Sequence, residues 1–140
     1  MRVLASLFIL FVGFGVVAQS ADAEADQNGP KITFTESAHA FGDITQGDVV
    51  THIFTYENSG NEALVISNVR TSCGCTAPDW NREPLAPGET AGMTIRFNSR
   101  GKMGMQNKII TVMSNAVNST ERIKITANVK PAQTEAEDGQ

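Results

Sequence analysis

An all-β fold, an immunoglobulin-like antiparallel β-sandwich of about seven strands, is what this sequence predicts, and three observations predict it. Apolar and polar residues alternate in short runs from Lys31 onward, so that one face of each run is buried and the other is wet. Turn residues separate the runs at intervals of about 8–12 residues, the spacing of a sandwich domain of ~100 residues. Beyond the N-terminal segment the helical period nowhere competes with this alternation.

Lys31 to Thr35 places Ile32 and Phe34 on one face, and Val50 to Tyr56 does the same with Val50, Phe54 and Tyr56. Leu64 and Ile66 then lead to Val69. Met93, Ile95 and Phe97 alternate with Thr94, Arg96 and Asn98; later Ile123, Ile125, Ala127 and Val129 alternate with Lys124, Thr126, Asn128 and Lys130. Lys108 to Ser114 is richer in apolar residues and reads as a more central strand. Asn58-Ser59-Gly60-Asn61 separates the second and third runs. In Ala86-Pro87-Gly88-Glu89, Pro and Gly stand where a type II turn needs them. Ser99 to Lys102 and Asn115 to Thr120 close the last two hairpins.

The chain divides into four segments. Arg2, the apolar run Val3 to Val17 and the small residues around Ala18-Gln19-Ser20 make residues 1–20 a cleavable signal peptide. The run falls short of the ~20 residues that span a bilayer, so no retained membrane span is expected. Residues 21–30 form an acidic disordered linker, 31–130 the sandwich, and 131–140 a disordered acidic tail. All of the 11 Lys and Arg except Arg2 lie between Lys31 and Lys130, whereas six of the 15 Asp and Glu lie in the two tails. The folded part is therefore nearly neutral, which excludes the basic footprint of a nucleic-acid binder. Export through the secretory pathway, to the periplasm or the outer cell envelope, is the expected destination.

Chemistry concentrates at Cys73-Gly74-Cys75, which holds both cysteines of the 140 residues. In an extended chain positions i and i+2 would hold their Cβ atoms roughly 6–7 Å apart, given a rise of ~3.3 Å per residue. A disulfide needs about 3.5–4.5 Å, so a bridge requires a bend at Gly74. Three uses of the pair stay open: a structural bridge or packed thiols, a labile bridge that exchanges with partner thiols, and a thiolate pair for Cu(I) or Zn. Two thiolates make half of a tetrahedral site, and no second cysteine pair or nearby histidine completes it. Arg70 could lower a thiolate pKa, although a solvated strand-edge arginine is the stronger reading. Trp80, the one tryptophan, reads as a packed lid on the cysteine loop. Thr76 and Asp79 read as loop-capping residues.

His39 and His52 could serve a cysteine as a base, but nothing in their spacing supports this; His39 is expected in a connecting segment and His52 in a strand. Met93 and Met113 read as core filler. Met103-Gly104-Met105, at a hairpin, is the methionine pair worth testing with copper. Asn118-Ser119-Thr120 has the pattern of a glycosylation acceptor and is read as a turn.

Phe54, Asn58-Ser59-Gly60, Leu64, Ile66, Val69, Ser72-Cys73-Gly74-Cys75-Thr76, Trp80, Pro84, Pro87-Gly88-Glu89, Phe97, Gly104, Lys108-Ile109, Thr111-Val112 and Ser114-Asn115 together resemble the exported bacterial family known as domain of unknown function 1573. The Ser-Cys-Gly-Cys-Thr string and the Pro-Gly-Glu turn carry most of that resemblance, which spans residues 31–130. It implies a fold akin to Hydin, major sperm protein and pilus-chaperone modules, and export across the inner membrane; it implies no reaction. Met103-Gly104-Met105 departs from the family pattern, in which an aromatic residue accompanies the glycine. The expected function is a non-enzymatic interaction or structural module with a protein partner in the cell envelope and no cofactor, its most distinctive surface being the loop from Thr71 to Pro84. The alternative is a thiol-redox or copper- or zinc-handling protein built on Cys73 and Cys75.

Overall fold

Alternation along the chain becomes strands that face each other across one core. The computed structural model describes residues 28–133, and among them the elements are β1 Ile32–Phe34, β2 Ala38–Thr45, β3 Val49–Asn58, β4 Ile66–Thr71, β5 Thr76–Asp79, β6 Thr90–Asn98, β7 Gly104–Ser114 and β8 Thr120–Lys130. One sheet has the order β1-β3-β6-β5, the other β2-β8-β7-β4. The expected signal peptide, residues 21–27 of the expected linker and residues 134–140 of the expected tail lie outside the described residues. No helix among the described residues is long and apolar enough to cross a membrane.

The inward phase of each strand supplies the core. Phe54, Met93, Ile95 and Phe97 from one sheet meet Ile110, Val112, Ile123, Ile125 and Val129 from the other, all no more than 1% exposed. Side chains of this size gain about 1.5–3 kcal/mol each on full burial, which sets the two sheets in a single register. β7 lies between β8 and β4, so the apolar run beginning at Lys108 is a central strand as expected.

Two strands escape the sequence reading, giving eight rather than about seven. β2, Ala38-His39-Ala40-Phe41-Gly42-Asp43-Ile44-Thr45, has only Phe41 and Ile44 as large apolar residues and carries a bulge between Ala40 and Asp43 that puts them out of phase, so strict alternation is lost. β5, Thr76-Ala77-Pro78-Asp79, contains a proline, which an edge strand tolerates and sequence patterning discounts. β2 also pairs parallel to β8, so one sheet is mixed rather than purely antiparallel. His39 therefore lies on a strand and not in a connecting segment.

The expected boundary at Lys31 falls slightly late. Gly29 and Pro30 are buried; the Gly29 N–H donates to Asn61 Oδ1, and the Pro30 carbonyl accepts from Val117 N–H. The turn from Asn58 holds this entry strap in place. Asn58 is fully buried, its Oδ1 accepting from the N–H groups of Lys31 and Gly60 and its Nδ2 donating to the carbonyls of Glu62 and Leu85. Such a satisfied buried amide fixes the loop geometry, because each group left unpaired would cost about 1–3 kcal/mol. The turn at Ala86–Glu89 forms as the sequence predicts, with Gly88 at φ 80° and Glu89 N–H donating to the Ala86 carbonyl.

Candidate functional sites at the two edges of the sandwich

The cysteine bend closes one lateral edge. There the chain crosses from β4, the outer strand of one sheet, to β5, the outer strand of the other. Residues Ser72–Cys75 bend between the two strands, the sulfurs of Cys73 and Cys75 are bonded, and their Cα atoms stand 5.3 Å apart. The bend falls at Gly74 as the geometry requires, yet Gly74 does not adopt positive φ, and a Cβ built on it would meet nothing within 4 Å. Its missing side chain is thus not what makes the bend possible.

Thr71 and Thr76 frame the bend. Thr71 Oγ1 donates to the Cys73 carbonyl at 2.9 Å and lies 3.3 Å from that of Thr76, and Thr76 N–H reaches the Cys73 carbonyl at 3.4 Å. Thr76 is 4% exposed, with its hydroxyl 3.9 Å from one sulfur and 4.0 Å from the other. Cys75 and Trp80 both pack against the core, and Arg82 lies over the Trp80 ring at 4.0 Å. Trp80 Nε1 is the one buried side-chain nitrogen or oxygen without a hydrogen-bond partner among the described residues. Arg70 is exposed on β4, in register with Thr111. Neither histidine lies in this group; both stand at the opposite edge.

That opposite edge is where β1 leaves the first sheet and the chain passes through Thr35–Ser37 to β2 in the second. His39 on β2 and His52 on β3 point into the gap between the sheets, in the phase of Phe41 and Phe54. Their rings stack with centroids 3.5 Å apart and planes 8° from parallel. Phe41 meets His39 edge-on at 4.7 Å, and Phe54 meets His52 edge-on at 4.8 Å. Glu36, from the crossing segment, is hydrogen-bonded through Oε1 to His52 Nε2. Partial burial pushes the His39 pKa down, His52 pushes it the same way, and Glu36 opposes both. Sequence reading missed this cluster, although one signal was present: His52 falls in the apolar phase of Val50, Phe54 and Tyr56, and His39 precedes Phe41 by two.

The methionines divide as expected in part. Met93 is core, whereas Met103 and Met105 are 52% and 71% exposed beside the start of β7. Asn118 is occupied by structure: its Oδ1 accepts from Ile32 N–H, and its Nδ2 donates to the Ile32 carbonyl and to Glu121.

The topology has counterparts among solved structures. A protein of unknown function from Porphyromonas gingivalis W83 matches with a TM-score of 0.64 and 16% identity, over 78% of this chain and 51% of that one. This chain thus spans about half of that protein's length. The ASH/PapD-like domain 7 of human CEP192 matches with a TM-score of 0.62 and 12% identity, over 74% and 87%. The secreted serine protease VesC from Vibrio cholerae matches with a TM-score of 0.55 and 14% identity, over 71% of this chain but 23% of the protease. At these identities the likeness is one of fold alone. No curated protein matches the sequence. The family model described as "Protein of unknown function (DUF1573)" matches residues 32–129, from the start of β1 to the penultimate residue of β8, and the chain belongs to that family.

Proposed function

We propose that this chain is an exported, non-enzymatic binding module that takes up an extended segment of a cell-envelope protein by adding it as a strand to the open edge of β3. The observation that carries the reading is hydrogen-bond register. β3 presents Thr55 and Glu57 to β1, as shown by Thr35 N–H donating to the Thr55 carbonyl, and it presents the alternate residues to β6. By the same alternation Val49, Thr51 and Ile53 direct their N–H and C=O groups to the β1 side, where no strand among the described residues pairs with them. Ile53 is 57% exposed and Val49 43%, giving an incoming strand apolar side chains to cover.

The other edges are blunted. β5 directs Thr76 and Pro78 outward; Thr76 N–H and C=O are taken up within the cysteine bend, and Pro78 has no N–H. β2 and β4 both carry register shifts. Thus the segment from Thr71 to Pro84 serves in this reading as a closed edge rather than as the docking surface.

Capture from envelope extract by the wild type, by Thr51→Pro and by a variant of the Thr71–Pro84 segment tests the reading. Thr51→Pro removes an outward N–H without touching a ladder bond, so it should fold and lose the partner while the segment variant retains it. Equal capture by Thr51→Pro would overturn the reading.

A second reading, exchange of the Cys73–Cys75 bridge with partner thiols, is supported by the position of that bridge on a surface bend. A reduction potential too negative to exchange with cellular thiols would remove it.

A further inference from the structure

We propose that Glu36, His39 and His52 form a binding site for a divalent transition-metal ion of the zinc class at the open edge of the sandwich. The proposal is independent of the strand-addition reading and of the cysteine pair, which lies at the other edge. Three separate elements converge here: the crossing segment supplies Glu36, β2 supplies His39 and β3 supplies His52. One ligand atom from each lies within 4.8 Å of the others.

The donor set selects the ion. Two imidazoles and a carboxylate suit Zn(II), Ni(II) or Cu(II), whereas Ca(II) and Mg(II) call for oxygen ligands throughout. Three protein ligands also leave a fourth tetrahedral position for water or for a donor from a bound molecule. With Zn–N and Zn–O bonds of ~2.0–2.1 Å the ligand atoms of a tetrahedron stand about 3.3 Å apart, so the cluster closes by roughly 1.5 Å on loading. The Glu36 side chain is exposed and already hydrogen-bonded to His52 Nε2, so loading exchanges that contact for the metal, and the imidazoles sit at the rim of the core rather than within it. Closure turns the stacked rings out of parallel, since a metal must lie in the plane of each imidazole that binds it. Phe41 and Phe54 brace the two rings edge-on and offer no competing donor, so the selectivity rests on the three polar side chains.

The test is calorimetric titration of the purified, EDTA-treated full chain with Zn(II), with thermal unfolding as a second readout. The expected result is one ion per chain and a rise in the unfolding midpoint with metal concentration. His39→Asn and His52→Asn should each weaken binding at least about tenfold, and the Cys73→Ser/Cys75→Ser double variant should leave it unchanged. Glu36→Gln keeps the test decisive if a histidine variant fails to fold, because this side chain is exposed and outside the core; it too should lose at least about tenfold in affinity. Absence of saturable binding, wild-type affinity in folded Glu36→Gln, or loss of binding in the cysteine double variant would each overturn the proposal.

Discussion

His39 and His52 stack face to face across the gap between the two sheets, with ring centroids 3.5 Å apart. Partial burial disfavours a charged imidazole here, and repulsion from His52 adds to the cost, so the His39 pKa lies below the ordinary value of about 6.5 although Glu36 opposes both. The groups facing it are His52 from β3 and Glu36 from the crossing segment; Phe41 and its β8 register partner Ile125 carry no charge.

Linkage gives the sign of the pH effect. The unfolded chain takes up a proton on this histidine at higher pH than the folded one, so the stabilisation is complete above about pH 6.5 and is lost as pH falls through the lowered value. In metal-free protein the urea midpoint should therefore drop between about pH 7 and pH 5. His39→Asn should flatten that part of the profile, and an unchanged slope would show that the titration lies elsewhere.

Gly60 and Gly74 should respond oppositely to alanine. A Cβ on Gly60 would run into the backbone of the entry strap, including Lys31 N at 2.5 Å and the Pro30 carbonyl carbon at 2.7 Å. Neither atom can move without breaking the Asn58 network, and Gly60→Ala should cost about 2–3 kcal/mol. Gly74→Ala meets nothing within 4 Å and requires no positive φ, so its effect should stay within about 0.5 kcal/mol. Urea unfolding of the two variants checks the contrast.

These two glycines also show what was legible in the sequence. The Asn58-Ser59-Gly60 turn and the six apolar runs could be read because local patterning and tertiary burial agree there. β2 and β5 could not, because a bulge, small residues and a proline erase the period of an edge strand whose place is set by pairing with β8 or β6. The cysteine bend was legible as a local feature, Gly74 included, although its glycine is dispensable to the conformation. The Glu36–His39–His52 cluster was not, because it is assembled by the crossing between sheets, and that crossing depends on β2.

Removal of the Cys73–Cys75 bridge should be a modest change. A closed loop of three residues restrains the unfolded chain little, and the chain-entropy model gives a loss of about 1–2 kcal/mol for the double serine variant. Unfolding of the wild type with and without reductant should differ by a similar amount. A loss near the whole stability of the domain would show that the bend organises β4 and β5 rather than merely joining them.

The open edge of β3 is tested most directly by amide hydrogen exchange, residue by residue. In the free protein Val49, Thr51 and Ile53 should exchange far faster than Val50, His52 and Phe54, whose N–H groups face β6. On addition of the captured envelope protein, the first three should become protected while β5 does not change. Slow exchange of Val49, Thr51 and Ile53 in the free protein, or protection confined to β5 and the cysteine bend on binding, would contradict strand addition at this edge.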